Sequence, residues 1–286
     1  MTNAIILERG KVWNIEELTP NTIALDGAVR GPVVECERNI YSFDHHENCI
    51  RHSTRSTCEQ VLDAILLGLD PTDFTILIND VDGDTVLALW LLQNTKLASS
   101  DLVKDLVREV GLLDSHGPAY PVGALADQFH KVVMKAVSDS RRNKTYGTDD
   151  LNALMEVSLR TLSDFILNPF TNEESEHTRT FTITHTGKGF VMAESNSFIF
   201  DKLYAEGHTK AVAYMKMNDG SYAYTIGKKS EFVSGFPVRQ ILDALNSIEP
   251  GWGGGSTIGG APRNADGSRS HMKPEEILNI INTVIG

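Results

Sequence analysis

Asp44-His45-His46 ends the apolar run Ile40–Phe43 and sets one carboxylate and two imidazoles side by side. That mixture of oxygen and nitrogen donors suits Mn²⁺, Zn²⁺ or Fe²⁺ better than Ca²⁺ or Mg²⁺. Alone, the triplet is also compatible with a polar turn. Its company decides the matter, because other acids follow apolar runs too: Asp26 after Thr22–Leu25, Asp80 and Asp82 after 74–78, and Asp114 after 110–113. Carboxylates and imidazoles arriving from separate segments are what a hydrolytic metal centre needs, since bound divalent ions lower the pKa of water and neutralise charge on a phosphate. In Asn79-Asp80-Val81-Asp82-Gly83-Asp84, the first two aspartates are two residues apart and face one side of an extended segment. Asp80 and Asp82 are therefore expected to be ligands, and Asp84 a helix cap. For Asp114, within Asp114-Ser115-His116-Gly117-Pro118, a ligand and a polar turn are equally good readings. His130 reads as an ordinary solvated side chain.

A second chemical feature is Gly253-Gly254-Gly255-Ser256-Thr257-Ile258-Gly259-Gly260. Amides of Gly254, Gly255 and Gly259 can approach an anion without an intervening Cβ, and Ser256 and Thr257 add hydroxyl donors. Arg263 follows Pro262 and can grip a phosphate bidentately, with Arg269 a few residues on. The run is not a P-loop, because no Gly-Lys-Ser/Thr follows it. Plain chain reversal is the alternative, with Arg263 paired to a surface carboxylate such as Asp266. Arg51 and Arg55 follow the triplet and read most simply as exposed arginines at a helix start.

The elements that must position these groups alternate in the first half as in an α/β sheet. Thr22–Leu25, Ile40–Phe43 and 74–78 read as buried strands, 56–69 as a helix capped by Ser56 or Thr57, and 84–92 as the next helix. If the strand at 40–43 runs on, His45 and His46 point to opposite faces, one toward a metal and one toward whatever binds beside it. The stretch 124–167 is helical apart from the polar segment 138–148, and Pro169 with the acidic run 173–176 reads as a linker. Beyond it, strands are expected at 180–184, 190–193, 211–217 and 221–226, with Asn218-Asp219-Gly220 as a hairpin turn. Helices are expected at 198–204, 238–245 and Pro274–Val284.

These motifs together resemble the DHH phosphoesterase superfamily. The resemblance rests on Asp26 after a strand, the Asp44-His45-His46 triplet one strand and loop later, the helix starting Ser56-Thr57-Cys58-Glu59, the strand ending in Asp80, and the C-terminal glycine run. It implies a two-domain α/β protein. Residues 1–168 would form a metal-binding catalytic domain with a mostly parallel sheet and flanking helices. Residues 177–286 would form a smaller DHH-associated α/β domain that binds substrate. It also implies a pair of Mn²⁺ ions held by Asp26 (bridging), His45, Asp80, Asp82 and Asp114, with Asp44 and His46 catalytic. Gly254, Gly255, Ser256, Thr257, Gly259 and Arg263 would hold substrate. The family's first motif, a histidine and a D-x-D pair ahead of Asp26, is missing, since residues 1–25 contain neither His nor Asp. The segment Asp80-Val81-Asp82 reads as that element displaced downstream. A Ser-Arg-Lys-Lys type motif, as in the family's pyrophosphatases, is also missing, and the glycine run is closer to nucleotide-cleaving members.

Composition narrows the setting. The 286-residue chain is 41% hydrophobic and 22% charged, ordinary values for a soluble protein that buries one large core or two smaller ones. Its net charge of −12 argues against tracking long duplex nucleic acid. A small phosphorylated substrate or short oligonucleotide stays compatible, because bound cations supply local positive charge. No apolar stretch reaches the ~20 residues of a membrane span. The start lacks a secretory pattern, and its three cysteines are too few for a disulfide framework, so a cytoplasmic setting is expected. A homodimer is left open. The expected activity is hydrolysis of a nucleotide or short oligonucleotide phosphodiester. The alternative is a catalytically degenerate DHH-like protein that binds a nucleotide or small anion without cleaving it.

Overall fold

The computed structural model describes residues 4–117, 120–168, 179–264 and 266–286. The expected linker at Pro169 and 173–176, and Pro118 of the turn after Asp114, lie outside them. The chain is α/β, with helices and two mixed sheets, and divides into two compact units, Met1–Glu174 and Ser175–Gly286.

Unit 1 runs β1 (Ala4–Leu7), β2 (Thr22–Leu25), β3 (Val33–Glu35), β4 (Ile40–Phe43), α1 (Thr57–Leu66), β5 (Thr75–Ile78), α2 (Gly83–Gln93), α3 (Asp101–His116), α4 (Ala124–Val132), α5 (Lys135–Arg142) and α6 (Leu151–Leu167). The strand order is β1-β5-β2-β4-β3, parallel except for the pairing of β3 with β4. Strand alternation sorts the side chains by face. Ile23, Leu25, Ile76 and Ile78 join the helical core, whereas Ala24 and Leu77 meet Trp13, Ile15 and Leu18 from the β1–β2 connection. Helix α2 is buried on all sides, from Gly83 to Leu92, as befits a helix that is apolar all round. α1 opens with a reciprocal capping box between Ser56 and Glu59. β1 and β3 are the strands that the sequence reading lacked. Segment 110–113 is the penultimate turn of α3 rather than a free-standing apolar run, and α5 covers part of the polar segment at 138–148.

Unit 2 continues with β6 (Phe181–Thr186), β7 (Val191–Ser195), α7 (Phe200–Ala205), β8 (Lys210–Lys216), β9 (Tyr222–Lys228), α8 (Val238–Asn246), β10 (Gly253–Gly254), β11 (Ile258–Gly260) and α9 (Pro274–Val284). Its sheet order is β10-β11-β9-β8-β7-β6, with only β7 and β8 parallel, joined by α7 as a crossover. α8 and α9 cover a core of Met192, Val212, Tyr224, Ile226, Trp252 and Ile277. Asp219 accepts from Ser221 N–H and Gly220 takes a left-handed φ, so the β8–β9 turn forms where its sequence places it.

Candidate metal centre

Parallel strands deliver their carboxyl ends to one rim of the unit 1 sheet, where open α/β sheets hold ligands. Asp26 leaves β2 with a left-handed φ of 49°, a conformation aspartate tolerates better than most residues. Its carboxylate accepts from Thr57 Oγ1 at 3.0 Å and Thr85 Oγ1 at 3.3 Å, at the starts of α1 and α2. Asp44 and His45, following β4, are fully buried. α3 ends nearby and supplies Asp114 from its last turn.

His45 is the centre of the cluster. Its Nε2 lies 2.8 Å from Asp114 Oδ2, 3.7 Å from Asp26 Oδ1 and 3.8 Å from Asp84 Oδ2. Yet this buried nitrogen has no hydrogen-bond partner: Asp114 Oδ2 is close but out of line with it, and the other two oxygens lie beyond hydrogen-bond distance. Nδ1 lies 3.4 Å from Ser115 Oγ. His46 does not point to an opposite face. The chain bends after β4, and His46 Nδ1 comes within 3.3 Å of the same Asp26 Oδ1, with its side chain 42% exposed. Two overlapping groups of metal-donor atoms result, Asp26/His45/His46 and His45/Asp84/Asp114, each with its atoms within 4.8 Å of one another.

The electrostatics fit a cation. Burial, then the neighbouring charges of Asp82, Asp84 and Asp114, push the Asp26 carboxyl well above its ordinary range. Burial, then Asp114 and Asp82, raise Asp84 from 3.8 to about 6. Carboxylates this close repel until a cation joins them. Burial also opposes ionisation of Asp114, but the His45 contact and Arg51 outweigh it and hold its pKa below the usual range. Arg51 Nη2 reaches the Asp114 carbonyl at 3.1 Å and its Oδ2 at 3.4 Å, so Arg51 belongs to the site, whereas Arg55 pairs with Asp63 outside it.

Asp82 and Asp84 exchange their expected roles. Asp82 is the N-cap of α2, its Oδ1 accepting from Thr85 N–H at 2.8 Å, while it still faces Asp26. Asp84 lies in the first turn of α2 and turns inward. Its oxygens accept from the amides of Thr57 at 2.7 Å and Cys58 at 2.8 Å, at the start of α1, and it closes on His45. The helix start explains the exchange: the chain turns at Gly83, so the i, i+2 rule of an extended segment no longer applies. Asp80 is not among the grouped donors. Its Oδ1 accepts from Tyr146 Oη and from Val81 N–H, which turns it away from His45.

Asp44 is placed as an organiser rather than as a reacting group. Its carboxylate accepts from Gly31 N–H at 2.8 Å, His46 N–H at 3.1 Å and His46 Nδ1 at 3.0 Å. These bonds overcome its burial and hold its pKa below the ordinary value. In return, and against its own burial, His46 is shifted upward by Asp44. His130 on α4 was missed by sequence reasoning. It stands within electrostatic reach of Asp114 and Asp82, and burial depresses its pKa. Its place among the polar residues of an amphipathic helix carries no signal of this.

Unit 2 holds a separate cavity of about 570 Å³, lined by Tyr224, Gly253, Gly259, Arg263, Asn264 and Arg269 among others. Of the expected substrate residues, Gly259 and Arg263 line it, whereas Gly254, Gly255, Ser256 and Thr257 do not. The glycine run is a hairpin: Gly254 pairs with Gly259, and Gly255 N–H donates to Ile258 O at 2.8 Å. A Cβ on Gly254 would stand 2.3 Å from Gly259 Cα, so glycine is required for strand contact. Ser256 Oγ donates to Glu231 at 3.0 Å, and the Thr257 carbonyl accepts from Lys228 N–H at 2.8 Å. Arg269 Nη2 donates to Ala261 O at 3.2 Å, but its buried Nε has no partner. Burial, then the charge of Arg263, lower its pKa. Asp266, the alternative partner for Arg263, accepts from Ser268 N–H and Oγ instead. No helix among the described residues is long and apolar enough to cross a membrane. No family model and no curated protein matches the chain, so the chemistry of these sites is read from their own atoms.

Proposed function

We propose that the protein is a metal-dependent phosphoesterase of the DHH type that hydrolyses a small phosphorylated substrate, a nucleotide or short oligonucleotide phosphodiester. The observation that carries this reading is the buried His45 Nε2, without a hydrogen bond and ringed by Asp26, Asp84 and Asp114 at 3.7, 3.8 and 2.8 Å. A buried polar atom left unpaired is costly, and a converging lone pair among carboxylates is what a transition-metal ion uses. An imidazole nitrogen has one lone pair and serves one ion. His45 with Asp84 and Asp114 would therefore hold one Mn²⁺, and Asp26 with nearby Asp82 would hold a second. The ions would supply Lewis acidity and lower the pKa of a bound water.

The chain's own residues then have distinct tasks. Asp44 orients the ring of His46 through Nδ1, leaving Nε2 for phosphate or a proton. Arg51 offsets negative charge beside Asp114. In unit 2, Arg263 and Arg269 line one cavity that has no carboxylate among its described lining residues, which supports a phosphate-binding role. That cavity also supports the second reading, a protein that binds a phosphorylated ligand without hydrolysis.

Metal content and turnover separate the two readings. Purified protein loaded with Mn²⁺ should carry two ions per chain and cleave a phosphodiester, with Ca²⁺ a poor substitute because it prefers six to eight oxygen ligands. Asp26→Asn should lose metal and activity together. Protein that stays metal-free after manganese addition yet binds nucleotide would establish the binder instead.

A further inference from the structure

Asp80, read from sequence as a ligand, is committed to a different construction. Tyr146 is buried, donates through Oη to Asp80 Oδ1, and accepts from Val81 N–H at 3.2 Å. Against its ring lie two guanidiniums, Arg9 with Cζ at 5.0 Å from the centroid and Arg141 at 4.7 Å. Both arginines are exposed. Arg9 Nη2 donates to the Asp149 carbonyl at 2.8 Å and Arg141 Nη2 to the Val81 carbonyl at 3.3 Å, so each fork keeps donors to spare. Among the described residues neither guanidinium has a carboxylate within ion-pair distance, in a chain whose net charge is −12. The side chains of Asp80 and Asp149, in the segments these arginines contact, are engaged elsewhere: Asp80 with Tyr146, and Asp149 with Ser140 and Thr145.

Place and charge say what such a pair would meet. Arg9 follows β1, the strand beside β5, and Val81 directly precedes Asp82. The pair therefore stands on the same carboxyl rim of the unit 1 sheet as the metal centre. Two divalent ions there would be balanced by Asp26, Asp82, Asp84 and Asp114, so the net positive charge offered to an anion on this rim comes from arginines: Arg51 at the metal centre, and Arg9 and Arg141 beside it. We propose that Arg9 and Arg141, held against Tyr146, clamp a second phosphate of the substrate, one that neighbours the phosphate bound at the metals. The substrate is then a molecule with at least two phosphates, such as a dinucleotide with a terminal phosphate, rather than an isolated diester. The word scissile rests on the phosphoesterase reading, whereas the clamp is testable by binding alone.

The test is calorimetric titration, with Ca²⁺ present to suppress cleavage, of an adenine dinucleotide carrying a terminal phosphate at its 5′ or 3′ end, against the same dinucleotide without it. The intact protein should prefer one of the phosphorylated forms by about tenfold or more, the scale of a charge-assisted contact. Arg9→Ala and Arg141→Ala should each cut that preference to below about threefold. Arg141→Lys should restore part of it, since a point charge lacks the bidentate fork. Melting curves report folding, and if Arg141→Ala unfolds, Arg9→Ala and Arg141→Lys carry the comparison. No preference in the intact protein, or a preference that survives both alanine variants, overturns the clamp. Turnover with Mn²⁺ is read on the same sample. Turnover without preference removes the clamp and leaves the metal-centre reading, preference without turnover does the reverse, and neither removes both.

Discussion

Asp84 offers the sharpest quantitative test of the metal centre. Its carboxyl is 1% exposed and its pKa is raised from 3.8 to about 6, by burial first and then by Asp114 and Asp82. A shift of that size corresponds to roughly 3 kcal/mol. The sign follows from proton linkage. Between the unfolded and folded values the native state binds more protons, so metal-free protein loses this stability as pH rises from about 4 through 6. Asp26, also raised, acts in the same direction. Asp44 and Asp114, whose values are lowered, act only below the ordinary carboxylate range, outside this window. His130, depressed by burial, opposes the trend as pH approaches the ordinary histidine value, but it does so equally in an Asp84→Asn variant. The quantity to measure is therefore a difference. From pH 4.5 to 7.5, metal-stripped wild type should lose about 2 kcal/mol more than metal-stripped Asp84→Asn, the rest of the linkage lying below pH 4.5. For a unit of this size that is roughly 4–8 °C of Tm by scanning calorimetry. Mn²⁺ at a hundred times its Kd should return about 2.7 kcal/mol to the wild type at neutral pH and much less to the variant. Parallel pH profiles for the two proteins, or a manganese response retained in full by Asp84→Asn, would refute the argument that these carboxylates are gathered for a cation.

Three further outcomes follow from the geometry. Asp82→Ala should cost about 1 kcal/mol as a lost cap and lose the second manganese while the ion at His45 and Asp114 is retained. Asp84→Ala should abolish metal binding and strand the Thr57 and Cys58 amides at about 1–3 kcal/mol each, and bound manganese with apo melting temperatures tells the two apart. Arg263→Ala should raise KM for a phosphorylated substrate about tenfold without changing metal content, since the cavity it lines lies in unit 2. An unchanged KM would leave the glycine hairpin a purely structural element. Gly111→Ala would set a Cβ 2.4 Å from Ser56 Oγ and 2.7 Å from Glu59 Oε2, breaking the capping box that fixes the start of α1. A loss of about 1–3 kcal/mol, read from denaturant midpoints, is expected.

Much of this was legible before any fold was known. Strands β2, β4 and β5 announce themselves as short apolar runs, and each ends in the polar residue that reaches the rim. Helix α1 carries its own cap in Ser56 and Glu59, and the β8–β9 turn carries its own in Asn218-Asp219-Gly220. Local sequence encodes these features because caps, turns and alternation are satisfied within a few residues. What only the tertiary structure decided are the long-range partners. β3 is only three residues long, and β1 is an apolar run as long as β2 but exposed at the sheet edge; both are strands because β4 and β5 give them hydrogen bonds. Asp82 and Asp84 look interchangeable in a D-x-D string, but the direction in which α2 starts turns one to cap its own helix and the other to the amides of α1. Asp80 is drawn away by Tyr146, 66 residues distant in sequence, and His45 acquires Asp114 from the far end of α3. The glycine run suggests an open loop because glycine frees the backbone, yet here it lets two strands come closer than any Cβ permits. Sequence names the donors of a site by type. Which of them share one ion depends on directions that only the packed helices and the sheet impose.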